Sequence, residues 1–268
     1  MYLFIFAILI IFLFWAIDRF YIRGGGPGKY PTPTDPDVHR VFTSGQEQGP
    51  QQKAVRQTVE EKITQISAAL DNHQLHKARA IFDSISEGLD YPSEFVQTDA
   101  GGVPAEWVMA PGADPSRRLL YIHGGGFIMG CPKSHRTITS KLSEVSGCVV
   151  LSIDYRLMPE HKHFECIEDC RSAYRWVLEN GPHGAGEIRQ LFSAGDSAGG
   201  NLSLSLAAWI RDNQLRTPDA VIALSPLTDI TFSGASLRDN ESTDVMLKPV
   251  IGILNRLPQI LKSLWVLW

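Results

Sequence analysis

The sequence predicts an α/β fold in which a mostly parallel sheet is flanked by helices. From residue 105 onward, short apolar runs alternate with segments of helical periodicity, which is typical of parallel sheets. Residues 147–155 are apolar almost throughout, as expected for a strand that is buried on both faces. Residues 195–201 place a glycine-rich turn between an apolar run and an amphipathic run, which indicates a strand-to-helix junction.

The individual elements follow from the local pattern. Strands are predicted at residues 105–110, 118–123, 147–155, 190–194 and 220–225, and helices at residues 168–179 and 199–211. Upstream of them, apolar residues from Val59 to Leu70 recur at helical spacing, and a second helix is predicted at residues 78–85. Because both helices precede every strand, residues 46–92 are expected to form a cap or lid, and residues 93–248 the α/β core.

Composition restricts the class of protein. The chain has 268 residues, of which 44% are hydrophobic, enough for one substantial core. Its formal net charge is −4 and no block of Lys or Arg stands out, which argues against a nucleic-acid partner. The four cysteines are unevenly spaced and are expected to be free thiols. Cys166 and Cys170 follow His161 and His163, but helix packing explains them better than zinc, so no metal is expected.

The N-terminus begins with an unbroken apolar run at residues 1–17. As a helix this run would be about 26 Å long, so residues 1–22 are expected to form a transmembrane anchor. Arg19, Arg23 and Lys29 follow the run and no basic residue precedes it, which predicts a single-pass protein with a cytoplasmic main domain. Residues 23–45 are rich in Gly and Pro and are expected to form a tether.

The glycine-rich turn carries the first candidate for chemistry. Ser197 lies in a G-x-S-x-G pattern, in which a sharp strand-to-helix turn exposes a nucleophilic hydroxyl. Gly195 and Gly199 flank the serine because such a strained turn leaves no space for side chains. The alternative is a glycine-rich turn with an incidental serine.

A second candidate is the loop at residues 123–127, His-Gly-Gly-Gly-Phe. Consecutive glycines allow backbone amides to approach a substrate oxygen, and loops of this type supply the donors of an oxyanion hole. The alternative is a flexible turn. His123 is expected to brace this loop rather than to act as a general base.

Residues 123–127, 154–161, 195–201 and 225–229 resemble the signature blocks of hormone-sensitive-lipase-like α/β-hydrolases, and the similarity covers about residues 50–248. The resemblance implies a carboxylic ester hydrolase with Ser197 as nucleophile and a small apolar ester as substrate. It also implies an oxyanion hole built from the amides of Gly124, Gly125 or Gly126 together with Ala198. Supporting positions in the motifs are His123, Gly195, Asp196 and Gly199. The family generally needs no cofactor.

The sequence departs from that family after Ser197. The family has its catalytic acid and histidine downstream of the serine, whereas the last histidine of this sequence is His183. The triad Asp and His are therefore absent from this chain. We expect a C-terminally truncated α/β-hydrolase sheet that lacks its last strands, and an impaired activity.

Residues 249–268 form an atypical apolar tail, for which two explanations stay open: an amphipathic helix, or out-of-frame translation. Two alternatives to an enzyme also stay open, namely a non-catalytic ligand-binding protein and an interaction protein on a hydrolase fold. The oligomeric state is not predicted.

Overall fold

A computed structural model describes residues 49–229, 237 and 239–247. They fall into two compact units: one covers Ala68–Thr228, and the other holds the described residues among Met1–Ser67 and Asp229–Leu267. The α-helices are α1 (Pro50–Asp71), α2 (Leu75–Asp83), α3 (Arg136–Ser146), α4 (His163–Glu179) and α5 (Ser197–Asp212). The strands are β1 (Glu94–Asp99), β2 (Pro104–Met109), β3 (Asp114–Ile122), β4 (Cys148–Ile153), β5 (Asn180–Gly181), β6 (Gly184–Ala185), β7 (Gln190–Asp196) and β8 (Ala220–Leu224).

Six of these strands form one sheet in the order β1-β2-β4-β3-β7-β8. Strand β3 pairs in parallel with β4 and with β7, and β7 pairs in parallel with β8. Strands β1 and β2 are antiparallel to each other, and β2 is antiparallel to β4. The prediction of a mostly parallel α/β sheet is confirmed for the core. Strands β5 and β6 form a separate two-stranded hairpin.

The sheet is covered on both faces, which explains its apolar strands. On one face Leu120, Ile122 and Leu151 pack against residues of α4 and α5 such as Tyr174 and Leu206. On the other face a smaller cluster, which includes Leu119 and Val150, packs against Ile138 and Leu142 of α3. Every residue of β4 is buried, as its continuous apolar sequence requires. This packing fixes the carboxyl ends of β3 and β7 next to each other.

The predicted elements of the core are present with small shifts of their ends, but β1 and α3 were missed. Strand β1 is an edge strand in which every residue is exposed or half-buried and only Phe95 and Val96 are apolar, so it lacks the apolar run of a central strand. Helix α3 is rich in Ser and Thr, although Ile138, Leu142 and Val145 have helical spacing that could have revealed it.

In the described ranges, no helix combines the length and the apolar character needed to cross a bilayer. This finding corrects the prediction of a single-pass membrane protein, which receives no support from the described part of the chain. The segment on which that prediction depended, residues 1–22, lies outside the described residues, as do the expected tether at residues 23–45 and the tail at residues 249–268.

Candidate active site

The candidate nucleophile stands at the junction of β7 and α5. Asp196, the last residue of β7, is extended, and Ser197 then adopts a left-handed conformation with φ of 51°. A non-glycine residue rarely adopts this conformation, and it turns the side chain out of both elements. The Ser197 side chain is half-exposed, and no described residue makes a hydrogen bond to its hydroxyl. The geometry is that of an elbow that presents a serine.

The elbow requires glycine at the positions on which it packs. A Cβ atom added to Gly199 would lie closer than 3.0 Å to the carbonyl oxygens of Ile122 and His123. One added to Gly195 would lie equally close to the carbonyl oxygens of Ile122 and Gly199. These obstacles are backbone atoms, which cannot rotate away. The first turn of α5 therefore rests directly on the end of β3.

The chain that leaves β3 forms the glycine loop, residues 123–127. Gly125, Gly126 and Phe127 have positive φ values of 115°, 64° and 64°. The carbonyl of Gly125 accepts hydrogen bonds from the N–H groups of Ile128 and Met129, which closes a tight turn. No described residue accepts the N–H of Gly125 or Gly126. These two amides are open to a ligand.

The amide of Gly124, in the same loop, already has a hydrogen-bond acceptor. The N–H of Gly124 donates to Oδ1 of Asp196 over 2.9 Å. A Cβ atom at Gly124 would collide with the same carboxylate, so the contact needs glycine here. The amide of Gly124, one of the predicted donors, is therefore bound to Asp196. Ala198 lies in the first turn of α5, where N–H groups have no intrahelical acceptor, and Asp196 makes no side-chain cap there.

Oδ1 of Asp196, which accepts the amide of Gly124, also has two side chains close to it. The hydroxyl of Tyr121 donates to Oδ1 over 2.7 Å, and Nε2 of His135 lies 3.6 Å from it. Burial raises the pKa of Asp196, but the interactions with His135, Tyr121 and Gly124 outweigh burial and hold the pKa below its usual value. The charged carboxylate is therefore the stable form. Neither Tyr121 nor His135 belongs to a motif in the sequence.

His123 lies at the base of the loop and is fully buried. Its Nδ1 is 2.7 Å from the carbonyl oxygen of Gly124, and its ring stacks on Tyr155 with centroids 4.3 Å apart. Burial, followed by the nearby His135, lowers the pKa of His123 to about 3. An enclosed neutral ring of this kind is suited to holding the loop in place.

Through Arg79, helix α2 contacts the turn that follows the glycine loop. Its Nε donates to the carbonyl of Ile128 over 2.7 Å, and Nη2 donates to the carbonyl of Met158 over 2.8 Å. Both terminal nitrogens also bind the carboxylate of Glu160. Sequence reasoning missed Arg79, because no pattern relates this residue to partners 49 to 81 positions away.

The loop after β8 closes the elbow from the other side. The N–H of Leu227 donates to the carbonyl of Ser197 over 3.0 Å, and the side-chain amide of Asn201 donates to the carbonyl of Leu227 over 2.8 Å. The predicted block at residues 225–229 therefore contacts the predicted block at residues 195–201 directly.

The general base remains without a candidate. The sequence has no histidine after His183, and no described histidine makes a hydrogen bond to the Ser197 hydroxyl. Within the described ranges, His, Cys, Asp and Glu form no group of three or more that could hold a metal ion. The site as described contains the elbow serine, Ser197, and the amides of Gly125 and Gly126, which no described residue accepts.

An α/β sheet with a serine elbow beside a glycine loop defines a hydrolase class, and comparison with known proteins gives the family. Residues 119–257, just over half of the chain, match the model of a family with the α/β-hydrolase fold. A crystal structure of an esterase from the bacterial hormone-sensitive lipase family superposes with a TM-score of 0.66 and 31% identity. That match covers 81% of this chain and 73% of the other. The chain belongs to the hormone-sensitive-lipase-like family of α/β-hydrolases.

Two curated relatives carry enzyme names. An acetyl-hydrolase of Streptomyces hygroscopicus is 35% identical over 180 residues, which are 66% of this chain and 58% of the relative. The carboxylesterase/phospholipase LipF of Mycobacterium tuberculosis is 39% identical over 146 residues, 53% of this chain and 38% of the relative. The chain thus spans between about two fifths and three fifths of the length of these relatives. By its family it is grouped with carboxylic ester hydrolases.

Proposed function

We propose that this protein is a serine hydrolase that acts on carboxylic esters through an acyl-enzyme on Ser197. The observation that carries the proposal is the φ of 51° at Ser197, a half-buried residue at an elbow that rests on the end of β3. A strained non-glycine conformation persists only where the surrounding structure holds it, and such strain is concentrated at functional sites. A ligand-binding protein would not need that strain at a serine.

The proposed reaction is acyl transfer. The Ser197 oxygen attacks the ester carbonyl, and the C–O bond that forms moves an electron pair onto the carbonyl oxygen. The N–H groups of Gly125, Gly126 and Ala198 then hold this oxyanion, and each such donor contributes about 3 kcal/mol to transition-state stabilisation. Collapse of the intermediate breaks the C–O bond to the alcohol oxygen, which takes up the proton given up by the Ser197 hydroxyl and leaves as the alcohol. Water then attacks the acyl-enzyme, and the released Ser197 oxygen takes up a proton as the acid departs. Gly124 is left out of the donor set because Asp196 occupies its amide.

Both the attack on the ester and the attack by water require a group that removes a proton. In the serine triad a histidine does this, and removal of any triad member leaves only about 10³- to 10⁴-fold catalysis over water. The printed sequence has no histidine after Ser197. We therefore propose that the chain of residues 1–268 carries out acyl transfer slowly.

The substrate proposed is a small apolar ester. The name of one relative, an acetyl-hydrolase, favours a short acyl group, and that of the other, a carboxylesterase/phospholipase, favours a carboxylic ester. We assign residues 46–92, with α1 and α2, to a lid, and residues 93–248 to the catalytic core. The contacts of Arg79 support this role for α2, because they attach that helix to the turn that follows the glycine loop.

Chemical rescue tests the proposal. Imidazole can replace an absent histidine base, so hydrolysis of p-nitrophenyl acetate is measured with and without imidazole for the parent chain and for Ser197→Ala. The rate that depends on Ser197 is the difference between the two proteins, which removes the background caused by imidazole itself. We expect this difference to be small without imidazole and to increase with its concentration.

Two results would count against the proposal, and they differ in meaning. Equal rates for the parent and Ser197→Ala at every imidazole concentration would exclude Ser197 as the nucleophile. A fast Ser197-dependent rate without imidazole would show instead that a base is present in residues 1–268.

A further inference from the structure

We propose that Asp196 is a positioning residue. By binding the amide of Gly124, it fixes the glycine loop in place beside the elbow that carries Ser197. The inference rests on the proposed function and adds to it a residue that does not touch substrate. It concerns how the two halves of the site, which lie far apart in sequence, are held in register.

The two partners of this hydrogen bond lie next to the functional residues in the chain. Asp196 directly precedes Ser197, and Gly124 directly precedes Gly125 and Gly126. The hydrogen bond from Gly124 to Asp196 joins positions 72 residues apart over 2.9 Å. One short bond therefore links the residue before the nucleophile to the residue before the open amides.

The contact between Gly124 and Asp196 requires a carboxylate. The absent side chain at Gly124 leaves the space in which the other carboxylate oxygen, Oδ2, lies. Oδ1 receives both the amide of Gly124 and the hydroxyl of Tyr121, which is itself fully buried. Hydrogen bonds to a charged acceptor are about twice as strong as neutral ones. Asn at position 196 would keep one oxygen but lose the charge and place an NH₂ group against the loop.

The charge of Asp196 is stabilised by its surroundings. A bare carboxylate beside the oxyanion loop would repel the negative charge that develops on the substrate. The Tyr121 hydroxyl, the Gly124 amide and Nε2 of His135 lie around Oδ1. These polar groups stabilise its negative charge and weaken that repulsion. His135 is buried, and its other ring nitrogen is held by the Ser134 hydroxyl and the carbonyl of Cys131. The ring consequently keeps a fixed orientation toward Asp196.

The experiment measures phosphonylation of Ser197 by a fluorophosphonate in the presence of imidazole, as a function of reagent concentration. The limiting rate kinact reports transition-state stabilisation, and the half-saturation constant KI reports ground-state binding. In Asp196→Asn we expect kinact to fall by about tenfold or more, with KI unchanged within twofold, because a displaced amide weakens only the oxyanion contact. Asp212→Asn, at the exposed C-terminal end of α5, is the matched control and should behave as the parent.

A spectroscopic measurement follows the bond itself. In protein labelled with ¹⁵N-glycine, the amide proton of Gly124 should resonate downfield and should move upfield in Asp196→Asn, together with changes at Gly125 and Gly126. Tyr121→Phe removes one donor from Oδ1 without changing the size of the buried ring, and we expect a smaller fall in kinact. It decides the same question if Asp196→Asn does not fold.

The outcomes separate the two proposals. A Ser197 adduct in the parent together with an unchanged kinact in both Asp196→Asn and Tyr121→Phe would overturn the positioning role alone. An unchanged Gly124 resonance in Asp196→Asn would also overturn it. Failure of the parent to form any Ser197 adduct would overturn the proposed function, and the positioning role with it.

Discussion

The Nε group of Arg79 donates a hydrogen bond of 2.7 Å to the carbonyl of Ile128, and this bond ties helix α2 to the turn that follows the glycine loop. Gly125 accepts the amide of Ile128 within that turn. The glycine loop is therefore held from two sides, by Asp196 at Gly124 and by Arg79 at Ile128. An oxyanion hole acts through donors that are fixed in place before reaction, and these contacts supply such rigidity.

Arg79→Lys is expected to destabilise the protein although the charge is kept. A lysine cannot donate at once to Ile128, Met158 and Glu160, because it lacks the planar fork of guanidinium nitrogens. We expect the free energy of unfolding to fall by about 1–2 kcal/mol, measured by urea denaturation. Lys133→Gln breaks an exposed ion pair with Glu87 and is the matched control, with an expected change below about 1 kcal/mol. Equal losses for both variants would contradict the anchoring role of Arg79.

Because His123 is buried, we expect the protein to become less stable as the pH falls. Burial lowers its folded-state pKa to about 3, whereas an unfolded histidine titrates near about 6.5. As the pH falls from 6.5 toward 3, the unfolded chain binds a proton that the folded chain does not, so stability decreases. The contribution is at most about 1.4 kcal/mol per pH unit. Above about pH 6.5 neither state is protonated and the contribution is constant.

The test compares urea unfolding of the parent and His123→Asn between pH 4 and 8. Asn places an amide donor near the position of Nδ1, so the contact to the Gly124 carbonyl is retained. We expect the variant to be less stable at pH 8, because the ring stacked on Tyr155 is lost, and to show a shallower decline toward pH 4. His183→Asn, at an exposed position, should follow the parent. Parallel pH curves for the parent and His123→Asn would contradict the assignment.

Gly199→Ala is expected to disrupt the elbow. The added methyl group would meet the carbonyl oxygens of Ile122 and His123 closer than 3.0 Å, and neither can move without shifting β3. We expect a loss of about 3 kcal/mol or more in unfolding free energy, or failure to fold. At Gly186 an added Cβ would make only an ordinary contact, 3.6 Å from Arg118, so Gly186→Ala is the control. Similar thermal midpoints for the two variants would show that the elbow does not pack as described.

The parts of the site that could be predicted from sequence are those in which the residue type is dictated by local backbone geometry. The elbow at Ser197 requires small neighbours and the glycine loop requires positive φ values, and both requirements leave glycines in the sequence. The buried strand β4 likewise leaves an apolar run. These features carry their signal within a few residues.

The contacts that orient the site could not be predicted in this way. Tyr121 reaches Asp196 across 75 positions, and Arg79 reaches Glu160 across 81 positions. Each partner is an ordinary residue of its strand, loop or helix, and only the sheet order brings the partners together. The polar edge strand β1 was missed for a related reason, since an edge position does not demand an apolar sequence.

Peptide mass spectrometry of the parent chain, treated with the fluorophosphonate in the presence of imidazole, shows directly which serine forms the adduct. The tryptic peptide around the elbow, residues 190–211, also contains the buried Ser193 and Ser203 and the exposed Ser205, so fragment ions must assign the adduct among these serines. We expect an adduct on Ser197 in the parent chain and none on this peptide in Ser197→Ala. An adduct on another serine, or one that persists in Ser197→Ala, would contradict this expectation.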